Sequence, residues 1–259
     1  MVFIDLLKGD CLQVMKDISS NTVDCFICDL PYGCLTGGDA VGKGVERKRA
    51  SNLTGCSWDI NINLEEFWIQ VKRLAKNDNT PVLMFCTTRF GNELINSNPK
   101  WFRYDLVWDK QRGVSFLSAN RMPMRSFEMI YVFSKAGAYY NRIDEVGDFK
   151  EWKSGSPFVE GVYGSVVKNN MQGGEGTRCV KAIIQVKSTP SKGKHPTEKP
   201  IELYKWLIER YCPPGGTILD PTAGSFNSCF AAYQLNRNSI GIELTDAFYE
   251  KACKKADLL

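Results

Sequence analysis

Short apolar runs alternate with amphipathic helical stretches along most of this chain, and a mostly parallel sheet covered by helices is the arrangement that buries both. The clearest run, Val23 to Cys28, stops at Asp29-Leu-Pro-Tyr-Gly33, where proline and glycine end regular pairing. Ahead of it the sequence reads as a helix entered at Asp10, with Leu12, Met15 and Ile18 on one side. Leu64, Phe67, Trp68, Val71, Leu74 and Ala75 stand at helical spacing, and three further strands are predicted at 81–86, 104–108 and 127–133. Periodicity returns after Pro200, with Leu203, Leu207 and Tyr211 on one helical face. A strand at 217–219 follows, then the loop Asp220-Pro-Thr-Ala-Gly-Ser225, a helix over 227–235, a strand over 239–242 and a last helix from Asp246. The predicted class is α/β, a doubly wound, mostly parallel sheet whose ligands bind at the carboxyl ends of the strands.

At 259 residues and 43% hydrophobic the chain can bury one full α/β core with a large insert. No run approaches the roughly 20 apolar residues that cross a bilayer, and no basic leader opens the sequence, so a soluble cytoplasmic protein is expected. The ten cysteines are scattered, mostly in apolar runs, and are expected to be reduced. Cys25 and Cys28 have metal-ligand spacing, but three residues along a strand turn them to opposite faces, so no metal site is predicted. Residues 135–194 break the periodic pattern and hold ten Lys or Arg against six Asp or Glu, an excess that equals the +4 of the entire chain. An irregular basic segment of that length is a candidate for phosphate contact. A second group, Lys43, Arg47, Lys48 and Arg49, lies in the glycine-rich stretch 34–58 and is either a phosphate clamp or a solvated loop.

Two constellations carry chemistry. A small-residue loop at 220–225 between a strand and a helix, followed some 20 residues later by Glu243 at a strand end, is the layout of an adenosine cofactor site. Gly224 there permits close backbone approach, and Glu243 is placed to hydrogen-bond ribose hydroxyls. The second constellation, Asp29-Leu-Pro-Tyr32, suits an exocyclic amino group whose lone pair is delocalised into a base. The Asp29 carboxylate and the Leu30 backbone carbonyl could each accept one amino hydrogen and favour a pyramidal nitrogen facing a methyl donor. Pro31 would stiffen the loop and Tyr32 would stack on an extruded base.

Asp29-Leu-Pro-Tyr32 resembles the Asp-Pro-Pro-Tyr signature of amino-group DNA methyltransferases, and Asp220 to Ser225 resembles their cofactor loop. His195-Pro-Thr-Glu-Lys-Pro200 resembles the element that precedes the cofactor loop in the circularly permuted beta group, and Gly9-Asp10-Cys-Leu12 fits ahead of the catalytic strand. The order of these elements is that of the beta group. The resemblance implies S-adenosylmethionine as cofactor, with Asp10 at its adenine, Glu243 at its ribose, and Thr197, Lys199, Asp220, Thr222 and Ser225 around its amino-acid end. It also implies a catalytic half at 1–134, a target-recognition segment at 135–194 and a cofactor-binding half at 195–259 of one core. Double-stranded DNA is the implied partner, with a homodimer and a cognate restriction enzyme compatible with it. The opening aspartate of the signature favours adenine-N6 over cytosine-N4 methylation. Phe226 and Asn227 depart from the Gly and Thr usual at those positions, which leaves open a catalytically inactive nucleic-acid-binding protein with the same fold.

Overall fold

The computed structural model describes residues 2–32, 62–114, 116, 119–147, 176–188 and 198–258. They divide into a larger unit, residues 1–141 with 182–259, and a smaller one, residues 142–181. In the smaller unit two short strands, β6 (Glu145–Val146) and β7 (Thr177–Arg178), pair antiparallel.

The larger unit is built on an eight-stranded sheet. Its strands are β1 (Ile4–Lys8), β2 (Cys25–Cys28), β3 (Val82–Cys86), β4 (Phe102–Val114), β5 (Arg125–Phe133), β8 (Ile183–Gln185), β9 (Thr217–Asp220) and β10 (Asn238–Glu243), in the order β1-β10-β9-β2-β3-β5-β4-β8. All neighbouring pairs are parallel except those of β5 with β3 and β4. The doubly wound, mostly parallel sheet expected from the sequence is therefore present. Helices α1 (Cys11–Asp17), α2 (Leu64–Leu74), α3 (Thr88–Ser97), α4 (Ile201–Tyr211), α5 (Asn227–Gln234) and α6 (Asp246–Ala256) alternate with the strands from β1 to β4 and from β8 to β10. None of the described helices is long and apolar enough to cross a membrane.

The pleat sorts side chains between two cores, because successive residues of a strand face opposite ways. Phe26, Cys28, Val82, Met84 and Cys86 join Met15 of α1, Phe67 and Val71 of α2 and Leu94 of α3 on one face. Cys25, Ile27, Leu83 and Phe85 join Leu203, Tyr204 and Leu207 of α4 and Ala231 of α5 on the other. Cys25 and Cys28 thus lie in different cores and cannot share an ion, as their strand spacing required.

Three features differ from the sequence reading. Residues Ile4–Lys8 form edge strand β1 beside β10, ahead of the helix predicted at Asp10. A helix, α3, capped by the Thr87 side chain on the Phe90 amide, fills the interval between the strands predicted at 81–86 and 104–108. Strand β8 lies within the irregular stretch 135–194, yet it pairs with β4 in the main sheet through Val107↔Ile183 and Trp108↔Ile184.

Phe226, the departure that put the cofactor loop in question, stands at the start of α5 with φ 56° and ψ 24°. A Cβ costs about 1–2 kcal/mol in this left-handed region, which is where glycine is favoured. The ring offsets that cost by full burial with Ala223, Cys229, Phe230 and Ala252 and an edge contact to Tyr249. It also covers Gly241 of β10 so closely that a Cβ there would sit 2.6 Å from it. The side chain is therefore a core element beneath the loop. Phe226→Ala is expected to lose about 3–5 kcal/mol in urea unfolding. Phe226→Gly, which leaves the same cavity but removes the strain, is expected to be the more stable of the two; the reverse order would contradict this account of the turn.

Candidate active site

Strands β9 and β2 are adjacent and parallel, with Cys25↔Ile218 and Phe26↔Leu219 in register. From β9 the chain passes through α5 to β10 on one side, and from β2 it leads on to β3 on the other. The connections diverge at this pair, which opens a crevice at the carboxyl ends of the two strands. Asp29 leaves the end of β2 and Asp220 ends β9, so the two loops singled out in the sequence meet at this crevice.

On the β9 side the loop is held by its own carboxylates. Asp220 accepts hydrogen bonds from the Thr222 amide at 3.1 Å and the Ser228 hydroxyl at 2.5 Å. Glu243, at the end of β10, accepts from the Gly224 amide at 2.9 Å and the Thr245 amide at 2.8 Å. Gly224 has φ 52°, so the turn that aims its N–H at Glu243 suits glycine. The Ala223 amide donates to the Ile242 carbonyl at 2.8 Å and the Gly9 amide to the Glu243 carbonyl at 3.0 Å. Asp10, at the end of β1, caps α1 by accepting from the Gln13 amide at 3.1 Å. Asp10, Glu243, the 220–225 loop and Asp29 therefore stand on successive strands β1, β10, β9 and β2. Three strand spacings make that row roughly 14 Å long.

On the β2 side the arrangement is ionic. The Lys199 side chain, 4% exposed, forms an ion pair with Asp29 Oδ2, and its Nζ lies 3.7 Å from Glu128 Oε2 on β5. Glu128 Oε1 pairs with Lys110 of β4. The Tyr32 hydroxyl donates to Asp29 Oδ1 at 2.7 Å, and the Tyr32 ring packs on Phe90 with centroids 5.2 Å apart. The Leu30 side chain is buried in the core, which fixes the backbone between Asp29 and Tyr32. Burial pulls the Lys199 ammonium down, but the Asp29 and Glu128 carboxylates outweigh it and hold it above its ordinary value. Burial likewise pushes the Glu128 carboxyl up, and Lys199 and Lys110 overcome that and keep it ionised. The Tyr32 phenol is pushed well up by burial and by the charge of Asp29, so it stays a donor.

Of the residues proposed from sequence, the structure brings Asp29, Tyr32 and Lys199 into direct contact. It sets Asp220, Thr222, Gly224 and Glu243 into one bonded loop beside Asp10. Lys199, expected near the amino-acid end of a cofactor, is seated on Asp29. Ser225 lies at the end of the loop. Thr197, with His195, and the basic group Lys43, Arg47, Lys48 and Arg49 lie outside the described residues. One functional candidate, Glu128, went unmarked in the sequence, and Asn227, noted there only as a departure from the family pattern, has a structural role. Glu128 is a lone carboxylate inside the apolar run 127–133, which is the signal that could have found it. The Asn227 amide donates to Glu198 Oε1 at 2.9 Å and to the Lys199 carbonyl at 3.0 Å, tying the start of α5 to the segment that delivers Lys199.

A doubly wound sheet with an acidic residue and a carboxylate-braced glycine loop at its switch point belongs to the class of folds that bind ligands in the crevice at the carboxyl ends of their strands. The sequence model of the N6/N4 DNA methylase family matches residues 23–254, and the chain belongs to that family. The Type II methyltransferase M.XycI of Xanthomonas campestris pv. cyanopsidis is 24% identical over 96% of this chain and 86% of its own length. M.HindIII of Haemophilus influenzae is 23% identical over 96% of this chain and 94% of its own. Among solved structures, the M1.HpyAVI–SAM complex superposes with a TM-score of 0.64 at 19% identity, covering 98% of this chain and all of that one. The cytosine-N4-specific PvuII DNA methyltransferase superposes at 0.63 with 12% identity, over 98% and 86%. At these identities the two structures establish a shared fold.

The buried Asp220 gives the site a pH dependence. Burial raises its carboxyl from 3.8 to about 7, against the Ser228 and Thr222 hydrogen bonds and with the help of Asp29 and Glu243. The folded protein therefore keeps a proton on Asp220 that the unfolded chain releases near its ordinary value. The stabilisation is present below that value and is lost as pH rises toward about 7. Asp220→Asn should remain folded and lose this component. The stability of the variant relative to the unliganded wild type, read from urea midpoints, is expected to grow between about pH 4 and about pH 7; a constant difference would contradict the assignment.

Proposed function

We propose that this DNA methylase transfers a methyl group from S-adenosylmethionine to the N6 amino group of an adenine flipped out of double-stranded DNA. The observation that carries the reading is the placement of Asp29 one strand from the 220–225 loop, at the crevice where β2 and β9 diverge. A cofactor lying across β1, β10 and β9 finds Asp10 and Glu243 at its nucleoside end. It finds Asp220 and Thr222 at the end nearest Asp29, with Lys199, Gly224, Ser225 and Thr197 as the remaining contacts. The Thr222 hydroxyl supports this, being buried with no hydrogen-bond partner among the described residues. A cationic ammonium next to Asp220 would hold that carboxyl ionised at neutral pH, which its raised value shows to be unfavourable without one.

S-adenosylmethionine supplies an electrophilic methyl group held on sulfur. The chain supplies acceptors for the amino group: Asp29 takes one hydrogen and the Leu30 carbonyl the other, so the nitrogen lone pair turns out of the ring plane toward the methyl. The methylated nitrogen then releases one proton. Pro31 limits the conformations of the loop, and Tyr32, braced by Phe90 and by its bond to Asp29, offers a ring to the extruded base. Adenine is preferred because the signature opens with aspartate; cytosine-N4 transfer is the second reading, as the PvuII neighbour is cytosine-N4-specific. The packing of Phe226 into the core beneath the loop supports an enzyme over a binding protein that kept only the fold. Residues 135–194, with Lys43, Arg47, Lys48 and Arg49, are proposed as DNA contacts. A cytoplasmic location, a homodimer and a cognate restriction enzyme are in keeping with the Type II relatives.

Incubation with labelled S-adenosylmethionine and unmethylated DNA, followed by digestion to nucleosides, is expected to yield N6-methyladenine; N4-methylcytosine would reverse the base, and no labelled base would overturn the reading. Asp29→Ala is expected to lower transfer by about a hundredfold or more while S-adenosylmethionine titrates normally. Activity within a few-fold of wild type would remove Asp29 from the reaction.

A further inference from the structure

With both oxygens of Asp29 engaged, by Lys199 and by Tyr32, the carboxylate proposed to receive the amino group already has a cation on it. A carboxylate paired with an ammonium is a weak acceptor for an amine hydrogen, because the paired charge cancels its field. The same ammonium also repels the positive charge that develops on the nitrogen as the methyl arrives. The Lys199 side chain is buried and cannot turn to water.

Glu128 offers the other place. Its Oε1 is taken by Lys110, but its Oε2 is buried and accepts no hydrogen bond from any described residue. A buried acceptor left open in a charged cluster calls for an explanation. Lys199 Nζ lies 3.7 Å from that oxygen, about 1 Å beyond the length of a charge-assisted bond. The Phe85 ring, 4.6 Å from the ammonium, lies beneath it as an apolar floor. Resting on the methyltransferase reading above, we propose that Glu128 is a positioning residue. It is the second seat for the Lys199 ammonium, which moves from Asp29 to Glu128 when the target amino group arrives and leaves Asp29 with its full charge. No proton changes owner in this step, and Lys110 stays on Oε1 throughout.

The neighbours allow a clean pH test. Lys199 is faced by Asp29, Glu128 and Asp220, and Glu128 by Lys110 and Arg125 as well. Tyr204 of α4 and Tyr32 are both pushed well above their ordinary value, first by burial, and Cys86 of β3 is pushed up to about 12. Burial pushes the Asp220 carboxyl up to about 7 in the unliganded protein, below the alkaline range of the test. Glu128→Gln keeps the side-chain shape and removes one of the carboxylates that hold Lys199 protonated. The variant is expected to transfer methyl with kcat reduced at least about tenfold near neutral pH, with KM for S-adenosylmethionine and DNA within about twofold of wild type. Its kcat should climb toward wild type in the alkaline range, as Lys199, with one of its carboxylates removed, loses its proton and releases Asp29, and this rise should persist when Lys110→Met is added; wild type is expected to show no such rise over the same range. An unchanged kcat, or a reduced kcat with no alkaline rise, overturns the second seat while leaving the methyltransferase reading intact. An inactive wild-type enzyme overturns both. Should Glu128→Gln fail to fold, a crystal structure of the wild type with sinefungin and a duplex carrying the site mapped by methyl transfer decides the matter. Lys199 Nζ bonded to Glu128 Oε2 is expected, and Lys199 still bonded to Asp29 overturns the proposal.

Discussion

The parallel pairing of β2 with β9 is the contact on which this molecule depends. It aligns Cys25 with Ile218, strands separated by most of the chain, and closing so long a loop is costly in chain entropy. Both strands are buried on their two faces, and the apolar surface they remove from water at 20–33 cal/mol per Å² offsets that cost. Because the connections diverge on either side of this pair, polar residues find a solvent-facing place at its carboxyl ends. The loops at 29–32 and 220–225 become neighbours there without any contact of their own being needed to bring them together.

What that crevice contains is governed by one cation. A buried ammonium is tolerated only where opposite charges surround it, and Lys199 meets the requirement with Asp29, Glu128 and the more distant Asp220. The ion pair with Asp29 fastens the segment preceding α4 to the end of β2, and Asn227 fastens the same segment to α5. Asp29 is thus oriented from two sides, by Lys199 and by Tyr32, before any substrate is present. The same bonds that orient it also occupy it, which is why the open oxygen of Glu128 bears on the chemistry and not only on stability.

The sequence was most legible where local chemistry and local structure coincide. Asp29-Leu-Pro-Tyr32 and Asp220 to Ser225 are each a strand end followed by turn-forming residues, and both the loops and the flanking strands could be placed from them. β1 escaped because Ile4–Lys8 mixes Asp5 and Lys8 with leucines, a composition neutral between strand and helix, and becomes a strand only through its register with β10. α3 escaped because only Phe90, Gly91 and Leu94 are buried, too few to set a helical period, although Thr87 stood in capping position. β8 could not be read as part of the sheet, since its partner β4 lies some 75 residues earlier. The Lys199–Asp29 pair spans 170 residues and follows no spacing rule. Phe226 shows the converse: the sequence marked a departure in the cofactor loop, and only the left-handed turn explains where its ring goes.

The position of the bound cofactor is the most direct test of this site. A crystal structure with S-adenosylmethionine bound is predicted to show the nucleoside end over β1 and β10 near Asp10 and Glu243, the amino-acid end against the 220–225 loop, and the methyl group turned toward Asp29. A cofactor bound elsewhere on the chain, or bound in the crevice with its methyl facing away from Asp29, would contradict it.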